Sequence, residues 1–443
     1  MIHIVGAGLA GSEAAYYLAE RGIPVILHEM RPQKMTEAHK TSGCAELVCS
    51  NSFKSKSPVS APGMLKAEMA KLGSLVLREA GGAAVPGGDA LAVDRDVFSE
   101  SVSRVLSSHP LITRVNEEVS QPTPGQINLI ATGPLTSEPL SQWLMKASGD
   151  DGLYFYDAIA PIVETSSIDF DHAFIANRYD KGGEEAYINC AMTEEQYYRF
   201  VNALMAAEKV PPKNFEKEIF FQGCQPIEAI AATGKDSLRF GPMKPVGLVD
   251  PKTNQRPFAV VQLRPENNAK TAYNMVGFQT KLKYGGQSQV LRMIPALEKA
   301  EFLRFGSIHR NTYVCGPQVL SADLSMKKKP TVYLAGQITG VEGYLESAAC
   351  GLLAAIFIEQ RLNGLSHSAP PAHTALGALL RHITGAEAKN YQPANMSFAL
   401  FDPNLFDGVS NLPRDEARKA MSQQALGNFS RWMGKGLNRS NVL

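Results

Sequence analysis

Ile2-His3-Ile4-Val5-Gly6-Ala7-Gly8-Leu9-Ala10-Gly11 stands at the start of the chain, and Ser12-Glu13-Ala14-Ala15-Tyr16-Tyr17-Leu18-Ala19-Glu20-Arg21-Gly22 follows it. The first four residues form a short β-prone run, and the stretch after Gly11 reads as a helix with a glycine stop at Gly22. Between them each glycine answers a separate demand. Gly6 permits the tight turn, Gly8 removes the Cβ that would keep a pyrophosphate off the backbone, and Gly11 lets the helix pack closely on the strand. The run Gly6, Ala7, Gly8, Leu9, Ala10 and Gly11 is therefore expected to cradle phosphates at a helix N-terminus, where free N–H groups and the dipole favour negative charge. A second strand, Val25-Ile26-Leu27-His28, ends at Glu29, whose carboxylate is placed to accept hydrogen bonds from an adenosine ribose. A lone Gly-x-Gly-x-x-Gly would fit an ordinary turn equally well. Strand, turn, helix and carboxylate in this order single out a dinucleotide site.

Two later segments decide which dinucleotide. Ile127-Asn128-Leu129-Ile130-Ala131-Thr132-Gly133 is a strand ending in small residues, with Thr132 and Gly133 expected at the cofactor. Thr331-Val332-Tyr333-Leu334-Ala335-Gly336-Gln337 is another, leading through Gly340 and Gly343 to an Ala-rich helix from Ser347 to Gln360. This resembles the C-terminal motif of FAD-binding proteins, in which a helix N-terminus faces the flavin end, and the resemblance implies Gly336, Gln337 and Gly340 at the cofactor, although that motif usually has an acidic residue where Gln337 stands. A simple NAD dehydrogenase needs no such distant third element, so the cofactor expected is FAD. The fold expected is α/β: a Rossmann-like FAD-binding domain of the two-dinucleotide-binding-motif flavoprotein type with an inserted α+β domain. The discontinuous FAD domain would span 1–134 and 305–365, the insertion 135–304, and a mostly helical C-terminal region packing on the FAD domain 366–443. Leu65, Met69, Leu72 and Val76 have helical spacing and predict one core-packing helix, with Lys66, Glu68, Lys71 and Arg78 on its other faces.

Across 443 residues, 44 Lys and Arg balance 43 Asp and Glu, so no global charge marks a nucleic-acid binder and any RNA contact must be local. Residues Pro413 to Leu443 carry a basic excess, read as a solvated helical tail or an RNA-facing patch with Arg431, Lys435 and Arg439 as candidates. No apolar run has the length of a membrane span, and the N-terminus runs directly into a strand, so a cytoplasmic protein is expected. The six cysteines are too few and too scattered for a disulfide framework, and none has zinc-site spacing, so no metal is expected. Cys49 and Cys224 lie in polar, turn-prone stretches and are the candidate reactive thiols, whereas Cys350 reads as helix packing.

Several motifs carry a family resemblance: Gly-Ala-Gly-Leu-Ala-Gly-Ser-Glu-Ala-Ala (6 to 15), Glu29-Met30-Arg31-Pro32, Val48-Cys49-Ser50-Asn51-Ser52, Ala92-Val93-Asp94-Arg95, Ala131 to Ser137, Phe240-Gly241-Pro242-Met243-Lys244-Pro245-Val246-Gly247-Leu248, and Gly340 to Ala349. Together they resemble the folate- and FAD-dependent tRNA (uracil-5-)-methyltransferases, the TrmFO family, over nearly the whole chain. There are two departures: Gln222 stands where an acidic residue is expected, and Cys315 where Asn is usual.

The resemblance implies that the one-carbon unit comes from 5,10-methylenetetrahydrofolate and reaches C5 of a T-loop uridine by way of the reduced flavin, with NADH or NADPH re-reducing it. The partners implied are tRNA through its T-arm, the folate and the nicotinamide. Uracil C5 is a poor nucleophile until a thiolate adds at C6. Cys224 is the first choice for that thiol and Cys49 for a group beside the flavin; the opposite assignment stays open. Glu342 and Tyr344 would border the folate or uracil pocket, or else serve packing and capping at a helix start. Two other classes compete: a flavoprotein that modifies the tRNA wobble uridine with a partner GTPase, and an FAD-dependent oxidoreductase acting on a small molecule. A flavin-binding module without turnover would leave both thiols inert.

Overall fold

A computed structural model describes residues 1–149, 153–180, 187–210, 225–266 and 269–436. Short β-branched runs build a six-stranded sheet in the order Ser325–Met326, Lys329–Leu334, Ile127–Ile130, Ile2–Val5, Val25–Glu29, Ile112–Asn116. All neighbours are parallel except the Ser325–Met326 hairpin. Ile2 stands opposite Val25 on one side and Ile127 on the other. The chain therefore leaves the central strand in one direction and returns on its opposite side, which opens a crevice at the carboxyl ends of the strands. Helices Leu9–Ala19 and Tyr344–Leu362 pack beside it, close enough that a Cβ at Gly351 would meet the Ala10 backbone and one at Gly336 would lie 2.9 Å from the Ala10 Cβ.

A second six-stranded sheet, antiparallel throughout, runs Ala173–Ile175, Ile188–Met192, Ala259–Pro265, Ala272–Met275, Ile162–Glu164, Phe302–Arg304. Helix Glu194–Ala206 starts at a reciprocal Thr193–Gln196 capping box and buries Tyr197, Phe200, Val201 and Leu204 in the same core as Val163, Val261 and Leu263. A two-stranded ladder, Leu153–Ile159 with Ser307–Tyr313, joins the two sheets. The mixed sheets are those of a Rossmann-like flavoprotein fold carrying an inserted α+β unit.

Three expectations need correction. The helix through Leu65 to Val76 is two helices, Ala61–Lys71 and Leu75–Gly82, because Gly73 takes φ +78° and Ser74 caps the second. Glu68 is not on an outer face: it is buried and accepts the Ala375 and Leu376 N–H groups at 2.8 Å each, holding the N-terminus of helix Ala375–Gly385. The basic C-terminal stretch is not a solvated tail, since helix Arg414–Gly436 buries Met421, Ala425, Phe429 and Trp432 on one stripe and joins the main core. Arg431 on it is exposed, whereas the Lys435 side chain and Arg439 lie outside the described residues. No helix among the described residues is long and apolar enough to cross a membrane.

Candidate active site

The crevice is an open, concave cavity bounded by the three glycine-bearing strand ends, the kind of site that ligands occupy. Gly6, Gly8, Leu9 and Ala10 form one wall, Thr132 and Gly133 a second, Gly336, Gln337, Tyr344 and Ser347 a third, with Glu29 at one end. Neither helix Leu9–Ala19 nor helix Tyr344–Leu362 has a side-chain cap, so both present bare N-termini here. Gly8 has ordinary extended angles, yet a Cβ there would meet nothing within 4 Å. Its missing side chain is thus a space in the cradle and not a packing need. Gly6, at φ +102°, is required by the turn: a Cβ would sit 2.6 Å from the Ala131 carbonyl oxygen. Gly11 is required by packing, since its Cβ would drive into the Gly6 carbonyl. A dinucleotide fits this donor set.

Glu29 accepts the Ala7 N–H at 3.0 Å, but the buried Arg31 also binds it, Nε to one oxygen at 2.8 Å and Nη2 to the other at 3.1 Å. Burial would raise the Glu29 carboxyl; Arg31 and the two backbone donors hold it below its ordinary value, so it is ionised. Arg31 continues to Glu46 at 2.9 Å and to the Thr41 and Gly43 carbonyls. The carboxylate that spacing assigned to a ribose is also the anchor of the following loop.

That loop leads to Cys49, half-buried beside the third wall. The Tyr344 hydroxyl accepts the N–H of Cys49 at 2.7 Å and of Ser50 at 3.1 Å. Burial first, and the Cys49 thiol second, push the Tyr344 hydroxyl well above the ordinary tyrosine value, so it remains protonated. Arg95 donates to the Leu47 carbonyl at 2.9 Å and the Cys49 carbonyl at 3.3 Å while ion-pairing Glu266 at 2.6 Å. Asn51 donates to the Val93 and Pro265 carbonyls at 3.0 and 2.8 Å and accepts from Arg264 Nε at 2.9 Å. Because Arg264, Pro265 and Glu266 come from the second sheet, one set of bonds both shapes the thiol loop and docks the two sheets together. Arg304 lies near this cluster; burial, then the like charge of Arg95, lowers its pKa.

Among the residues singled out by sequence, Gly6, Gly8, Leu9, Ala10, Glu29, Thr132, Gly133, Gly336, Gln337 and Tyr344 share the cavity. Ala7 and Gly11 stand behind it, in hydrogen bonding and packing. Gly340, at φ +89°, lies against Tyr391, and the buried Glu342 donates its N–H to Ala394, so neither lines the cavity. Cys224 and Gln222 fall outside the described residues. Cys315 is buried with Tyr313 and Tyr391, and Cys350 is buried inside helix Tyr344–Leu362. Sequence reasoning missed the clamp of Asn51, Arg95 and Glu266. Asn51 and Arg95 stood inside quoted motifs, but their partners are remote in sequence.

The model of the family described as glucose inhibited division protein A matches residues 1–366. The methylenetetrahydrofolate–tRNA-(uracil-5-)-methyltransferase TrmFO of Enterococcus faecalis is 52% identical over 425 residues, 96% of this chain and 97% of its own length. That of Desulforudis audaxviator is 49% identical over 430 residues, 97% of each. Among solved structures, GidA of Aquifex aeolicus superposes with a TM-score of 0.66 at 16% identity, covering 98% of this chain and 75% of that one, a likeness of fold. With half of its residues shared across nearly its full length, this chain belongs to the glucose inhibited division protein A family and, within it, to the TrmFO proteins.

Proposed function

We propose that this chain methylates C5 of a tRNA uridine, taking the carbon from 5,10-methylenetetrahydrofolate and working with bound FAD. The TrmFO relatives carry that activity in their names, and the observation in this chain that supports it most directly is the half-buried Cys49 suspended from Tyr344 beside the dinucleotide cavity. A T-loop uridine as target and NADH or NADPH as reductant complete the reading.

The FAD pyrophosphate would rest on the Gly8 cradle and the bare N-terminus of helix Leu9–Ala19, with Thr132, Gly133, Gly336 and Gln337 along the rest of the cofactor. Bound FAD supplies the redox and one-carbon carrier chemistry. The chain's own task at uracil is nucleophilic. A thiolate adds to C6, the C5–C6 electron pair moves toward the C4 carbonyl, and C5 can then attack the carbon unit. Cys224 takes this role. Loss of the C5 proton then expels the thiolate, and Cys49, placed beside the cavity, is the group that accepts or relays that proton. Tyr344, Arg95 and Asn51 fix the backbone on either side of Cys49 and are positioning residues.

The deciding experiment offers unmethylated tRNA and NADPH or NADH with either methylenetetrahydrofolate or S-adenosylmethionine. 5-Methyluridine should form with the folate. Labelling only from S-adenosylmethionine would overturn the reading.

A further inference from the structure

On the inserted unit, beside the groove lined by Val48 and Arg95, three aromatic rings form a row that runs from the surface inward, with Tyr284 exposed, Phe305 half-buried, and Phe302 half-buried against the core of that unit. Tyr284 is 64% exposed, its ring 5.9 Å from that of Phe305, which stacks on Phe302 at 5.3 Å and 24°. The Arg292 guanidinium lies 6.0 Å over the Phe302 ring. Exposed aromatics of this size are usually free to swing, but these two chain stretches are pinned. Gln287, fully buried, donates through Nε2 to the Leu282 carbonyl at 2.7 Å and the Gly306 carbonyl at 2.8 Å, and its Oε1 accepts the Gly306 N–H at 2.7 Å. This buried amide bonds the backbone two residues before Tyr284 and one after Phe305, and so ties together the two stretches that carry the rings.

The surroundings of this aromatic row indicate what it holds. Leu303 and Arg304, the residues between Phe302 and Phe305, line the groove together with Val48, Arg95 and Glu266. Both described ends of the segment carrying Cys224 come back to the same stretch: Val210 donates its N–H to the Lys281 carbonyl and Ile227 to the Gln279 carbonyl, each at 2.8 Å. Arg292 stands over Phe302, Arg304 lines the adjoining groove, and Lys283, next to Tyr284 in the chain, is paired with Glu208. A rigid aromatic row edged by cations matches unstacked bases on a phosphate backbone, because every base has a π-face and stacking tolerates sequence.

We propose that Tyr284, Phe305 and Phe302 form a stacking platform for RNA bases next to the uridine being modified. Base stacking in a loop must be broken to bring C5 and C6 of one uridine to a thiol, and the platform replaces the lost stack on the neighbouring nucleotide. The inference rests on the tRNA-methylating reading.

The test uses full-length protein loaded with FAD and a T-arm RNA hairpin carrying 2-aminopurine beside the target uridine. Wild-type protein should quench the probe. Tyr284→Ala and Phe305→Ala should lose the quenching and weaken binding by roughly 5- to 100-fold, the range one stacked base carries, while Tyr284→Phe keeps both. FAD content serves as the folding control. Wild-type affinity and quenching in Tyr284→Ala would overturn the platform, as would a change in self-association by sedimentation with RNA binding intact, which would make the strip a subunit interface. Failure of the underlying reading is distinguishable: Tyr284-dependent quenching without folate-dependent 5-methyluridine would retire the methylation reading and keep the platform.

Discussion

Gly8 and Gly11 stand three residues apart in one motif, and the structure separates their roles sharply enough to predict opposite phenotypes. Gly8 takes φ −71° and ψ −169°, angles open to any residue, and a Cβ there meets nothing within 4 Å. Gly8→Val should therefore leave the apo protein within about 0.5 kcal/mol of the wild-type apo protein. Its side chain would occupy the cradle and push the pyrophosphate off the backbone donors. Hydrogen bonds to a charged group contribute about 1.5–3 kcal/mol each, so losing two of them weakens FAD by about 3–6 kcal/mol, roughly 10²- to 10⁴-fold. At Gly11 the new Cβ would enter the Gly6 carbonyl and lie 3.3 Å from the Ile4 side chain. Gly11→Ala must push the helix off its strand, costing about 1–3 kcal/mol or more before any cofactor is considered. The assay is thermal unfolding of both apo variants alongside FAD titration by flavin fluorescence. Tight FAD binding by Gly8→Val, or a destabilised Gly8→Val apo protein, would refute the assignment of the cradle.

Tyr344→Phe leaves the Cys49 and Ser50 N–H groups without their acceptor; stability should fall by about 1–3 kcal/mol and methylation by at least tenfold with FAD retained, whereas an unchanged rate would show that the hydroxyl does not hold the loop. Burial lowers the Lys66 pKa to about 8, below the unfolded value of about 10.4, so the unfolded chain binds more protons between these values. Stability should rise with pH across that window relative to Lys66→Met, and parallel pH profiles in the two proteins would count against a buried Lys66 ammonium. With T-arm RNA containing 5-fluorouridine, wild-type protein should form a covalent adduct that Cys224→Ala abolishes while keeping FAD; a band that persists in Cys224→Ala and vanishes in Cys49→Ala on a denaturing gel would exchange the two thiols' roles.

What could be read from sequence follows from how each interaction is laid along the chain. The glycine turn was legible because phosphate binding needs strand, turn and helix consecutively, so its constraints fall within residues 2 to 29. The clamp on Cys49 was not: Asn51 meets Arg264 and Arg95 meets Glu266 only once two sheets have folded and docked, and no spacing rule connects such pairs. Glu68 shows a second limit. Periodicity sends a charged residue outward, yet a helix N-terminus supplies two N–H donors to a buried carboxylate, and here those donors belong to a helix more than three hundred residues away. The C-terminal helix reverses the case. Its Met421, Ala425, Phe429 and Trp432 stripe has ordinary helical spacing, in keeping with a region expected to pack on the FAD domain, and only the basic excess within it suggested a solvated tail. The same contrast explains Tyr284 and Phe305. Aromatics in a sequence default to the core, and only the fold shows that Tyr284 stays exposed beside a half-buried Phe305, on two stretches that the buried Gln287 ties together. Tyr284 touches Phe305 along one side only and leaves most of its ring open while the backbone near it is tied down, which is the physical reason to look for a partner outside the chain.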